Sequence, residues 1–313
     1  MHHEIIRGRF APSPSGRLHV GNLLSSLLAW LDVRTLGGEM IFRLEDLDPD
    51  RSFYEYSCLM AEDLDWLGLD WDIGWRPNHG SKYAQSNRTA LYEDIFKRFI
   101  ENERIYPCYC SRAQRLAASA PHPGEARDYG CGCMTMGDAE RAASARIPSY
   151  KIHVDSCTIS FDDDHYGPQA FTMQAGQDDF IVRRADGVFA YQLAVSYDDA
   201  VMGVTRVVRA NDLLDSSPKQ IWLIREMGYE PPIYCHAPLL VAADGRKMSK
   251  RSGDLSMEVL RQRYTPEQLC GKLAFLAGII PSPIPVTPKD LIREFSWDKV
   301  PTNNIVMPEG LFE

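Results

Sequence analysis

Leu23, Leu24, Leu27, Leu28 and Leu31 recur at three- and four-residue spacing from Gly21 onward, the repeat of a helix with an apolar face. Before them, Ile5-Ile6-Arg7-Gly8-Arg9-Phe10 is β-prone, and Pro12, Pro14 and Gly16 interrupt any regular structure between the two. Gly37-Gly38 ends the helical pattern, and Met40-Ile41-Phe42-Arg43-Leu44 reads as a second strand. Strand, helix and strand within about 40 residues form the unit of a parallel, doubly wound sheet. The pattern therefore predicts an α/β fold built on a parallel, doubly wound sheet.

Leu91, Ile95 and Phe99, four apart, predict a helix over 83–102. The α/β rhythm then stops, and a cysteine-rich stretch makes 106–170 a candidate insertion. Val201 to Val208 and Pro238 to Ala242 read as strands with a helix over 217–227 between them. After Arg251 the pattern is largely helical to Gly278, and Pro281, Pro283, Pro285 and Pro288 introduce a loosely patterned end. The expected organisation is 1–105 and 171–252 as two halves of one α/β domain, 106–170 inserted between them, and 253–313 as a helical C-terminal region. Repeats and low-complexity tracts are absent.

With 44% hydrophobic and 25% charged residues in 313, the chain has the balance of a globular protein, which excludes a collagen or a disordered tail. No run of about 18 apolar residues suggests a membrane span. Met1-His2-His3-Glu4 lacks the layout of a signal peptide, so a cytoplasmic location is expected. The net charge of −9 argues at first against a nucleic-acid partner. Its distribution weakens that argument. Glu39–Asp72 holds 11 acidic and 2 basic residues, so the rest of the chain sums to zero. Arg104–Lys151 (7 basic, 4 acidic) and Gly245–Lys272 (7 basic, 3 acidic) are locally basic, which suits either a phosphate-rich partner or ordinary solvated faces.

Two segments carry candidate nucleotide chemistry. In the first, Gly16 and Gly21 have the separation of a Walker loop, but Asn22 and Leu23 stand where Lys and Ser/Thr are required. That excludes the Walker reading. A helix start presenting His19 and Asn22, with Gly21 admitting close approach and free amides favouring phosphate, is the alternative. The second segment, Arg246-Lys247-Met248-Ser249-Lys250-Arg251, sits between Gly245 and Gly253. A basic loop of this kind can close on a triphosphate and stabilise departing pyrophosphate. Taken alone, it is also simply a solvated charge run.

The pair His19-Val20-Gly21-Asn22 and Lys247-Met248-Ser249-Lys250-Arg251 resembles the two signatures of class I aminoacyl-tRNA synthetases. The blocks Arg9–Gly16, Phe42–Asp48, Ala190–Val195 and Gly203–Arg209 are similar to the glutamyl branch, in the same order. The resemblance implies a Rossmann-type ligase that makes an aminoacyl-adenylate from glutamate and ATP, with Mg2+ on the phosphates. His19, Asn22, Lys247 and Lys250 would be catalytic, stabilising charge at phosphorus, and Pro12, His19, Gly21, Asn22 and Lys250 would bind ATP. Glutamate carries two carboxylates and one ammonium. Arg9 and Arg209 suit the carboxylates, in either order, and Glu45 with Ser13 suits the ammonium. Ala11 and Tyr191 complete the expected pocket. Val195 departs from the asparagine common in ordinary members of the branch.

Cys108, Cys110, Cys131 and Cys133 form two Cys-x-Cys pairs, whose chemistry suggests a structural zinc site. The resemblance implies a different set, Cys108, Cys110, Tyr129 and Cys133, as in the short glutamyl relatives. Both sets stay open at this point.

An ordinary member of the branch continues past the basic loop into an anticodon-reading domain of about 100 residues or more. Only 62 follow Arg251, so no such domain is expected. The chain thus resembles the short paralogs that transfer glutamate to queuosine in the anticodon of tRNA(Asp). The partners implied are ATP, L-glutamate and tRNA(Asp) carrying queuosine, with a monomer and no membrane. A shortened enzyme charging tRNA(Glu) and an inactive tRNA-binding paralog are the alternatives.

Overall fold

The computed structural model describes residues 5–111, 132–242, 245 and 255–313. Strand Arg7–Phe10 pairs in parallel with Glu39–Phe42, from Arg7 opposite Glu39 to Phe10 opposite Phe42, and Ile73–Gly74 adds to the far edge. Helix Val20–Thr35 makes the crossover. Its leucines are buried, as are Val20, Trp30 and Val33. It is apolar nearly all round because it lies between the sheet and the helix Pro266–Leu276.

The second parallel pair joins Arg206–Ala210 to Ile233–Ala237. It meets the first sheet at Arg7, whose carbonyl accepts from Thr205 N (2.9 Å) and whose N–H donates to Thr205 Oγ1 (2.9 Å). Both halves of the chain thus build one α/β body of the expected Rossmann type. Between them lie antiparallel elements. Ile105–Cys108, Ser149–Ile152 and Phe180–Arg183 form one sheet, and Cys157–Asp163 with Gly167–Met173 forms a hairpin.

Several local expectations shift. The helix expected at 83–102 begins at Thr89, after two short 3-10 turns. The strand expected from Val201 starts at Arg206, because helix Tyr191–Val201 runs through that valine and turns out at Gly203, where φ is +67°. Strand Ile233–Ala237 was not expected at all, since Cys235 and His236 break any simple alternation. The segment 238–242 contributes only Leu240–Val241, paired with Ile305–Val306. The proline-rich end is not loose. Val300, Ile305 and Phe312 are buried, and Trp297 Nε1 donates to the buried Asp32 at 2.8 Å. Among the described residues, no helix is long and apolar enough to cross a membrane.

Candidate functional site

His19 occupies the position just before helix Val20–Thr35, in extended conformation. Its Nδ1 accepts from Gly21 N (3.1 Å), while Asn22 Oδ1 accepts from His19 N (3.2 Å). This is a reciprocal cap built from His and Asn, where Ser/Thr and Glu/Gln are usual. A Cβ on Gly21 would lie 3.1 Å from His19 Cε1, so glycine makes room for the imidazole. The two residues expected to face one ligand are therefore locked to each other first.

The turn 11–18 and the ends of strands Arg7–Phe10 and Arg206–Ala210 enclose a 580 Å3 cavity. Arg9, Ala11, Pro12, Ser13, Asn22, Glu45, Tyr191 and Arg209, all expected from the sequence, line it. His19 and Gly21 lie at its helix-start end without lining it. A second cavity of 480 Å3 shares Ser13, Ser15, Glu45 and Tyr191 with the first and extends to Asp48, Arg184 and Phe189. Val195 is fully buried and lines neither.

The charges of the first cavity are arranged unequally. Arg43, wholly buried, donates to Asp199 (2.6 Å) and Glu45 (3.1 Å), and Arg9 Nε lies 3.4 Å from the same Asp199 oxygen. Burial opposes the charge on Arg43, but Asp199, then Glu45 and Asp198, raise its pKa above the ordinary value. Burial also raises the Glu45 carboxyl above its ordinary range, more than Arg43 and Arg9 pull it down. Arg209 is different. Its donors go to His236 Nε2 (3.1 Å), Gln220 Oε1 (2.6 Å) and Ser217 Oγ (2.8 Å), all uncharged acceptors. Among the described residues, no acid forms a salt bridge with it. A buried cation solvated only by neutral dipoles is an anion seat in waiting.

Sequence reasoning missed Arg43, Asp199, Ser217, Gln220 and His236. The one visible signal was Asp198-Asp199, an acidic pair within an apolar helix, which asks for buried cations. Lys247 and Lys250 lie outside the described residues, as does most of the basic loop. Where the chain returns, Met257 N donates to Leu18 O (2.9 Å) and Ser256 bridges to His19, so the loop's exit abuts the start of helix Val20–Thr35. The buried Asp63 ties the two segments further. It accepts from Arg17 (2.6 Å) and Arg261 (3.2 Å).

Away from this cavity, the sulfurs of Cys108, Cys110 and Cys133 lie within 4.8 Å of one another, Cys110 and Cys133 at 3.6 Å. Tetrahedral thiolates about 2.3 Å from zinc stand roughly 3.8 Å apart, so the cluster could hold a metal. Tyr129 and Cys131, the competing fourth ligands, lie outside the described residues.

Residues 5–283 match the catalytic domain of the class I tRNA synthetases for glutamate and glutamine (E and Q). The chain belongs to that family of ligase-type enzymes. It is 45% identical over 311 residues to the glutamyl-Q tRNA(Asp) synthetase of Symbiobacterium thermophilum, covering 96% of this chain and 95% of that protein. The protein of the same name from Nitratidesulfovibrio vulgaris is 42% identical, with 99% and 98% covered. Glutamate–tRNA ligase 2 of Nitrosococcus oceani is 39% identical, with 88% of this chain and 60% of the longer ligase covered. In fold, the chain is similar to a glutamate tRNA ligase from Elizabethkingia meningosepticum crystallised with its amino acid. The TM-score is 0.80 at 23% identity, over 99% of this chain and 68% of that one.

Proposed function

We propose that the protein activates glutamate with ATP, without tRNA, and transfers it to queuosine in the anticodon of tRNA(Asp). The observation that carries the amino-acid assignment is Arg209, a buried cation with no acidic partner among the described residues, in the cavity that also holds Arg9 and Glu45. Of the charged residues that line it, Arg9 and Arg209 suit the two carboxylates of glutamate and Glu45 its ammonium, with Asp212 also on the wall. Arg209 is the stronger carboxylate seat, because Asp199 already compensates Arg9. Glu45 and Ser13 hold the ammonium, with Tyr191 at the rim and the backbone of Ala11 beside them. The target base is supported by the near full-length relatives named for it.

MgATP enters as substrate over Pro12, Gly21 and Asn22, its phosphates toward the amides that begin helix Val20–Thr35. An oxygen of the glutamate α-carboxylate attacks the α-phosphorus, and the bond to pyrophosphate breaks. His19, Lys247 and Lys250 stabilise the charge that builds on the phosphate oxygens, so catalysis is positioning and electrostatics. An acceptor hydroxyl then attacks the activated carbonyl, and AMP leaves. The 480 Å3 cavity, open to Glu45 and Tyr191, offers the acceptor its approach.

In this reading 1–105 and 171–252 form the catalytic domain, 106–170 the inserted subdomain, and 253–313 the helical C-terminal region. Cys108, Cys110 and Cys133, with Tyr129 or Cys131, hold a structural zinc that pins the insertion. Pyrophosphate exchange with glutamate and ATP alone is the expected activity. Labelled glutamate should pass to tRNA(Asp) only when queuosine is present. Exchange that depends on tRNA, or charging of tRNA(Glu) instead, would overturn the proposal.

A further inference from the structure

Arg209 carries five N–H donors, and three are spent inside the protein, one from each nitrogen. Two remain, one on each terminal nitrogen, which is the fork that grips a carboxylate through both oxygens. What holds that fork is a buried chain behind it. Arg209 Nε donates to His236 Nε2, so His236 must keep Nε2 unprotonated and carry its proton on Nδ1. Nδ1 meets Asp163 Oδ2 at 2.5 Å. The other oxygen of Asp163 accepts from the backbone N–H of His165 (3.1 Å), Tyr166 (2.9 Å) and His236 itself (3.2 Å). Asp163 ends the first strand of the hairpin, so the hairpin turn, strand Ile233–Ala237 and Arg209 are tied in series.

We infer that His236 and Asp163 are positioning residues for the amino-acid substrate, fixing the Arg209 guanidinium with its two spare N–H groups toward the cavity. The inference rests on the assignment of Arg209 to a glutamate carboxylate. Only one state of the imidazole serves. An imidazolium, or a ring protonated on Nε2 alone, would turn an N–H against that of Arg209. The surroundings favour the neutral ring: burial lowers the His236 pKa, Asp163 pulls it upward, and Arg209 and Arg9 depress it further. Ser217 Oγ, 3.3 Å from Nε2, and the Tyr234 ring, stacked at 6.1 Å, complete the enclosure, while His165 bonds the carbonyl of His236 at 2.7 Å.

The sequence gives little warning of this chain. His236 stands in an apolar strand, where a histidine is usually only a satisfied core residue. Its importance appears once its two nitrogens are seen to face an acid and a substrate-pocket arginine.

The test separates glutamate from ATP in tRNA-free pyrophosphate exchange. His236→Phe keeps the ring volume and removes both hydrogen bonds. KM for glutamate should rise about 10- to 100-fold, the effect of a lost bond to a charged group. KM for ATP should stay within about twofold. His236→Gln, whose amide oxygen can accept from Arg209, should recover most of the loss. A variant that merely destabilises the fold would lower kcat and leave both KM values alone, and that result would overturn the inference. A second measurement needs no activity. Nitrogen-15 NMR of His236 in the wild-type protein should show a neutral ring protonated on Nδ1; a ring protonated on Nε2, or on both nitrogens, refutes the contact. If the wild type does not exchange pyrophosphate with glutamate, the substrate assignment fails, and the tautomer still decides whether His236 holds Arg209.

Discussion

The two sides of the cavity around Arg9, Glu45 and Arg209 solve the same problem, a buried arginine, in opposite ways. On one side Arg9 and Arg43 share Asp199, and Arg43 also meets Glu45, so the charges cancel within the protein. On the other, Arg209 is held by a serine, a glutamine and a histidine, and its charge is left for something else to neutralise. The first arrangement maintains the fold and aims Glu45. The second, on the proposed function, is the seat for a substrate carboxylate. Burial alone does not separate them, since all three arginines are buried. The partners do.

The largest effect should come from breaking the compensated side. Asp199→Ala strands Arg9 and Arg43 without their shared acid and should cost about 3–5 kcal/mol of stability in urea unfolding. If stability is unchanged, the two arginines find compensation elsewhere and the contrast with Arg209 collapses. Next is Arg209→Gln, expected to lower kcat/KM for glutamate by roughly two to three orders of magnitude. Its stability loss should be smaller than that of Asp199→Ala. Arg209→Lys should not rescue activity, because a single ammonium cannot reproduce the fork.

A smaller and sharper effect concerns Glu45. Its pKa is raised, so it loses its charge on acidification sooner than an ordinary glutamate, and ammonium binding needs the charged form. Glutamate KM should therefore climb on the acid side, starting above the usual carboxylate range. The stability contribution has the opposite sign. A raised carboxyl stabilises the fold below its unfolded-state pKa, and that contribution is lost as pH rises through the folded value. Glu45→Gln should abolish the acid limb, weaken glutamate binding and slightly stabilise the empty protein at neutral pH. The smallest effect on this cavity is expected from the cysteines. Cys133→Ser should remove bound zinc, measured by metal analysis, while glutamate KM changes less than about twofold. Comparing Tyr129→Phe with Cys131→Ser for zinc content identifies the fourth ligand.

Much of the fold was legible because its signals are local. The leucine repeat of Val20–Thr35, the proline-broken turn before it and the apolar strand after it define a parallel crossover without reference to anything distant. The candidate pocket was legible in part, for a different reason. Arg9, Glu45, Tyr191 and Arg209 could be selected because the substrate that the family resemblance implies, with two carboxylates and one ammonium, specifies the charges it needs. Arg43 and His236 could not, since nothing in their own sequence neighbourhoods marks them as buried and charged or as a hydrogen-bond relay. The same limit explains strand Ile233–Ala237, whose polar residues face interior partners from the hairpin and from Arg206–Ala210.

By itself the sequence determined the α/β class, the family signatures and the spacing of the thiols. It could do so because these depend on periodicity and on residue type at short range. Tertiary structure alone decided which charges cancel. Asp199 and Arg43 are 156 residues apart, and His236 meets Asp163 from 73 residues away. At such separations only packing determines whether an arginine finds an acid within the protein or is left to bind one from outside.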